Sequence, residues 1–164
     1  MLNTSIVNIN SALKYQAAIA IMQGDRQSIA ALTEQSPFKV IQPTQGLYIK
    51  PAGNLENHMK LSIASIVNVP ANYTGELFDP EPTQIEPGSW YFDQADKTLN
   101  YRVRNNEFFQ SDLPGDIARI KLKVVIDYND NNGNERYDAD GDEFKSISLQ
   151  VVGNYSWGSE GDGI

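Results

Sequence analysis

Residues 118 to 126, ARIKLKVVI, place Ala118, Ile120, Leu122, Val124 and Ile126 in alternation with Arg119, Lys121 and Lys123. Period two is the spacing of a strand with one covered face, and a one-residue slip would turn every apolar side chain to water. The segment therefore predicts a strand with a fixed register in a half-buried sheet. FKSISLQVV, residues 144 to 152, repeats the pattern, with Ile147, Leu149 and Val151 on one side and Ser146, Ser148 and Gln150 on the other. Upstream, SWYF (89 to 92) and TLNYRV (98 to 103) flank the turn DQADK and read as a hairpin. Leu99, Tyr101 and Val103 face one way in it, and Thr98, Asn100 and Arg102 the other.

A sheet with one apolar face needs a partner layer. From Thr4 to Met22 the residues Ile6, Ile9, Leu13, Ala17, Ala20 and Ile21 recur at spacings of three and four, with Asn10, Lys14 and Gln23 on the polar side. Asn3, Thr4 and Ser5 are candidate caps, Gly24 suits the left-handed end, and Asp25 caps a second short helix that Ser36-Pro37 stops. The helical region is thus 4 to 34. Residues 38 to 88 form a variable region, with strands expected at 38 to 41, 46 to 50 and 59 to 68. The prolines at 70, 80, 82 and 87 make 69 to 88 a long irregular connection. The expected fold is α+β: an N-terminal helix packed on an antiparallel β-sheet, a meander over 89 to 155, and a flexible tail over 156 to 164. With 164 residues the chain suits one domain.

There is no cysteine, which removes disulfides and thiolate metal sites. Of the formal net charge of −8, most lies in residues 127 to 143, where Asp127, Asp130, Glu135, Asp138, Asp140, Asp142 and Glu143 face Arg136 alone. Such a surface repels phosphate backbones and anionic lipids and attracts divalent cations, so nucleic acid is excluded as an expected partner. No run reaches the roughly 18 apolar residues of a membrane span, and no basic-then-apolar leader opens the chain.

The acidic stretch, DYNDNNGNERYDADGDEF over 127 to 144, joins the last two long strands. Calcium takes oxygen ligands from alternating loop positions. Asp127, Asn129, Asn131, Glu135 and Asp138 fill positions 1, 3, 5, 9 and 12 of one such register, and Asp130, Asn132, Asn134 and Asp138 fill 1, 3, 5 and 9 of another. Both depart from the EF-hand in lacking the sixth-position glycine and the final glutamate. Calcium is the expected cofactor, with Asp130, Asn132, Asn134 and Asp138 as the preferred ligands and Asp127 and Asp140 as further candidates. So many carboxylates in one loop would splay it unless a cation neutralised them. The competing reading is a solvated hairpin turn in which Asn and Gly supply the conformations.

Nothing in the chain predicts an enzyme. His58 is the only histidine and lies in the polar stretch NLENHMK. No phosphate loop, dinucleotide fingerprint or nucleophile elbow occurs. Trp90, Tyr91 and Phe92 read as core at strand spacing; a carbohydrate platform is the alternative.

INSALKYQAA (9 to 18), NYTGEL (72 to 77), PGSWYFDQADKTLNYRVRN (87 to 105) and ARIKLKVVIDYNDNNGNERYD (118 to 138) resemble type IV pilin-like proteins and pseudopilins, in particular the minor pilin-like proteins of MSHA pilus biogenesis. The resemblance covers most of the chain. It implies a structural subunit that partners other pilins and the pilus assembly machinery. It also implies anchoring in the inner membrane by an N-terminal apolar helix, with a periplasmic domain that becomes extracellular in the pilus. The chain departs from the pattern in having no prepilin cleavage site and no apolar helix, so the helix from Thr4 is expected to be the second half of a longer one. The runner-up expectation is a calcium-dependent extracellular module that binds carbohydrate or protein, using Trp90 and Tyr91.

Overall fold

The structure, a computed structural model, describes residues 2–41, 69–115 and 117–158. In chain order the elements are α1 (Leu2–Met22), α2 (Gln27–Ala31), α3 (Pro37–Ile41), β1 (Tyr73–Leu77), a 3-10 turn (Pro82–Gln84), β2 (Trp90–Asp93), β3 (Thr98–Arg102), β4 (Phe109–Ser111), β5 (Arg119–Asn129), β6 (Glu143–Val152) and β7 (Tyr155–Trp157). The strands expected at 46 to 50 and 59 to 68, and His58, lie outside the described residues. Among the described residues no helix is long and apolar enough to cross a membrane.

The chain divides into two compact units. The first comprises residues 1–69 and 124–149. Its α1 buries Ile9, Leu13, Ala17, Ile19 and Ala20, and the steps of four, four and three from Ile9 to Ala20 keep one stripe inward. The helix ends as its sequence predicts: Gly24 is left-handed at φ 71°, and the Asp25 N–H returns to the Ala20 carbonyl at 2.9 Å. The Asp25 carboxylate then accepts the Ser28 N–H at 3.4 Å and so steadies the start of α2. Residues 38 to 41 are helical, which corrects the strand expected there. Pro37 opens this helix instead of only stopping the previous one, because its fixed φ suits a first helical position and its missing N–H costs nothing there. Phe38 is buried behind it.

Asn10 also departs from its expected polar-side role. Its side-chain Oδ1 accepts the Leu149 backbone N–H at 2.6 Å, fixing α1 to β6 beside the buried side chains of Ile147 and Leu149. Asn10→Ala leaves that N–H without its acceptor and is expected to cost about 1–3 kcal/mol, read from urea unfolding. An unchanged midpoint would mean that the bond does not hold the helix.

The second unit comprises residues 70–123 and 150–164. Strand β2 pairs antiparallel with β3 through Trp90↔Tyr101 and Phe92↔Leu99, and β3 pairs with β5 through Leu99↔Leu122 and Tyr101↔Ile120. Alternation puts Trp90, Phe92, Leu99, Ile120 and Leu122 on one face, all buried. The opposite face was expected to be wet, yet Tyr91, Thr98 and Asn100 are also buried. Polar side chains pair in a chain there: Asn100 Nδ2 donates to Thr98 Oγ1 at 2.9 Å, Thr98 Oγ1 donates to Asp96, and Lys121 pairs with Asp96, while the buried Asn100 Oδ1 is left without a hydrogen-bond partner among the described residues. Burial pushes the Asp96 carboxyl up, but the bonds from Lys121 and Thr98 outweigh it and hold the group below its ordinary range. Burial raises the Tyr91 phenol, and the neighbouring Arg119 only partly offsets this.

The full strand order is β1-β2-β3-β5-β6, with β4 and β7 in a separate two-stranded sheet. The fold is therefore α+β, but the sheet is mixed and not purely antiparallel, because β1 runs parallel to β2 with Tyr73↔Trp90 and Leu77↔Asp93 as partners. Parallel neighbours require a crossover of about a dozen residues or more, and the proline-bearing segment 78 to 89 supplies it. The tail expected to be flexible from residue 156 begins inside a strand. β7 pairs with β4 through Phe109↔Trp157 and Ser111↔Tyr155, and the rings of Phe109 and Trp157 meet edge to face at 5.0 Å.

Candidate functional site

The acidic loop lies in the first unit, between β5 and β6. Its order starts from Asp130, whose Oδ1 accepts the N–H groups of Gly133 (2.7 Å) and Asn134 (3.3 Å). Its Oδ2 accepts that of Glu135 at 2.8 Å. Asn132 Oδ1 accepts the Asn134 N–H at 3.0 Å, and Asn134 Oδ1 accepts the Arg136 N–H at 2.9 Å. Short polar side chains are here replacing a backbone ladder, which is what Asx turns do. The chain reverses through left-handed residues at Gly133 (φ 72°) and Glu135 (φ 60°). Glycine takes such angles freely; a glutamate there is strained by roughly 1–2 kcal/mol, and the bond from its N–H to Asp130 holds it in place.

A second carboxylate closes the loop. Asp142, buried to 4 % exposure, accepts the N–H of Asn131 at 3.0 Å through Oδ1 and that of Asp138 at 2.8 Å through Oδ2. The Tyr137 ring is buried against Tyr128 (5.5 Å) and Phe144 (6.3 Å). Sequence reasoning passed over both roles. The available signal was Tyr137 itself, the one ring in the polar run between Tyr128 and Phe144, which implies a small core beneath the turn.

Four of the expected ligands converge in this turn. Asp138 Oδ2 lies 2.9 Å from Asn132 Nδ2 and 2.5 Å from Asn134 Nδ2, while Asp130 gathers the backbone around them. Asp127 is exposed within β5. Asp140 turns to helix α2, where Gln27 Nε2 donates to its Oδ2 at 3.3 Å. Among the described residues no group of three or more His, Cys, Asp or Glu side chains is gathered to hold a metal ion. What the loop gathers is two carboxylates with two carboxamides. Asp130 would be position 1 of a calcium register, and the left-handed Glu135 stands where that register places its glycine. The Asn132 and Asn134 amide groups present nitrogen to Asp138; a half-turn of each would present oxygen.

The loop disperses its charge with its own donors. Backbone N–H groups, that of Glu135 foremost, hold the Asp130 carboxyl below its ordinary range. The amides of Asn132 and Asn134 do the same for Asp138, with Arg136 adding to them. Groups with depressed folded-state pKa contribute stability above their unfolded pKa, and that contribution is lost as pH falls through the folded value. The loop is therefore expected to loosen only below the ordinary carboxylate range. Amide protection at Gly133 and Glu135, taken relative to the intrinsic exchange rate at each pH, checks this: loss of protection well above that range would contradict it.

Trp90 and Tyr91 are 4 % and 2 % exposed, and the Trp90 ring meets Tyr101 at 4.9 Å. They are core, so the binding-module reading loses its aromatic pair. In comparisons with known proteins, the chain matches no family model, no curated protein and no solved structure.

Proposed function

We propose that the chain is a structural subunit, a minor pilin-like component that works by assembly into a type IV, MSHA-type pilus or a related pseudopilus and has no catalytic role. Helix α1 is the observation that carries this reading. It commits the stripe from Ile9 to Ala20 to its own unit and is bonded to β6 through Asn10, yet Val7 and Met22 on the same helix stand 61 % and 77 % exposed. Neighbouring helices of a filament would cover such side chains. Its partners on this reading are other pilins and the assembly machinery, with the domain on the periplasmic side of an inner-membrane anchor and extracellular once assembled. A photo-crosslinking residue at Val7 or Met22 in the producing cell should capture filament subunits. Capture of none, with the protein stably present, would overturn the reading.

The same reading gives the acidic loop a calcium ion held by Asp130, Asn132, Asn134 and Asp138. The left-handed Glu135 at the glycine position supports it. A dissociation constant on the order of 0.1–1 mM is typical of extracellular sites, and at about tenfold excess cation such binding adds about 1.4 kcal/mol. Calcium would order the loop joining β5 and β6 without being required for folding. Calorimetry on chelator-treated protein should show binding that Asp130→Ala abolishes; absence of heat, with no shift in melting, removes the ion and leaves the assembly reading standing.

A further inference from the structure

We propose that Asn132 is a site of spontaneous covalent modification, deamidation through the Gly133 nitrogen, and that the closed acidic loop restrains it. Asn132–Gly133 is the one place in the chain where asparagine precedes glycine. Asn129, Asn131 and Asn134 in the same loop precede Asp130, Asn132 and Glu135, whose side chains crowd the attacking nitrogen. Gly133 brings no such obstacle, and both Asn132 and Gly133 are exposed to water.

The Gly133 backbone nitrogen attacks Asn132 Cγ. The new C–N bond closes a cyclic imide, and the side-chain nitrogen leaves as ammonia with the proton that the backbone nitrogen gives up. Water then opens the imide at either carbonyl, leaving aspartate or isoaspartate. The balance is one water consumed and one ammonia released, with no redox partner.

The folded loop opposes each part of that step. The Gly133 N–H donates to Asp130 Oδ1 at 2.7 Å, so the nucleophile must lose its proton beside a carboxylate. The Asn132 carboxamide is held at both ends, Oδ1 by the Asn134 N–H at 3.0 Å and Nδ2 by Asp138 Oδ2 at 2.9 Å. After conversion the donor facing Asp138 is gone and a like charge stands in its place, so the loop does not close again in the same form. The change is one-way and marks molecules whose loop has spent time open. It depends on the loop geometry alone and not on a bound cation.

Full-length protein is incubated at mildly alkaline pH, native and in denaturant, beside native Asp130→Ala. Conversion is followed by peptide mapping and enzymatic isoaspartate methylation. Conversion in denaturant should concentrate at Asn132, and the native rate should be lower by about tenfold or more, the scale of one hydrogen bond to a charged acceptor. Folded Asp130→Ala should recover most of that difference. Equal native and denatured rates, or conversion in denaturant no faster at Asn132 than at the other three asparagines, would overturn the proposal. A folded Asp130→Ala that stays at the wild-type native rate overturns Asp130 as the restraint. If that variant does not fold, the native and denatured wild-type rates decide.

Discussion

Trp90→Ala is expected to destabilise the second unit by about 3–5 kcal/mol, the usual cost of truncating a buried aromatic side chain. A domain of this kind has a total stability of about 5–15 kcal/mol, so the variant should approach the limit of folding. The indole sits on β2 with 4 % exposure, opposite Tyr101 in the strand register, on the face shared with Phe92, Leu99, Ile120 and Leu122. Urea unfolding followed by circular dichroism gives the value. Trp157→Ala is the control: that ring is 48 % exposed and meets Phe109 and Tyr155, and its loss should cost about 1 kcal/mol. If the two variants proved equally stable, Trp90 would not be core and the carbohydrate-platform reading would regain its ring.

The second large effect belongs to Asp142→Ala. Two backbone N–H groups, those of Asn131 and Asp138, close the acidic loop on this one carboxylate. Without it they either stay unpaired or take the loop apart to reach water, at about 1–3 kcal/mol. The expected result is a lower unfolding midpoint together with rapid proteolytic nicking between residues 130 and 142. Asp142→Asn keeps one acceptor oxygen and should fall between the variant and the wild type. Wild-type protease resistance in Asp142→Ala would show that Asp130 alone orders the turn.

Much of the local structure was legible because it follows from side-chain periodicity. The alternation of Ile120, Leu122 and Val124 forced β5, and the three-and-four spacing from Ile9 to Ala20 forced α1. Gly24 announced the helix end, since few other residues take that backbone angle without strain. Asp130, Asn132, Asn134 and Asp138, grouped by their spacing in the sequence, meet in one hydrogen-bonded turn. Asp127 and Asp140 were not separable from them by sequence, because spacing along a loop does not say which way a side chain leaves it. Asp142 was seen as one acid among seven; its burial exists only once Asn131 and Asp138 have folded back over it.

Sequence alone determined the elements whose cause is local: the amphipathic helix, the long alternating strands and a turn rich in Asn, Asp and Gly. Tertiary structure decided how they meet. The parallel pairing of β1 with β2 needs the crossover through 78 to 89, and no period in YTGEL encodes a direction. Burial of Thr98 and Asn100 came from a covered second face on which Asp96 and Lys121 supply partners, although their alternation with Leu99 and Tyr101 marked them as solvent-facing. Asn10, polar by composition, became a structural bond because the Leu149 N–H required an acceptor. In the last two cases polar groups find partners in residues distant in the chain, the Leu149 N–H for Asn10 and Lys121 for Asp96, which a single sequence does not reveal until it is folded.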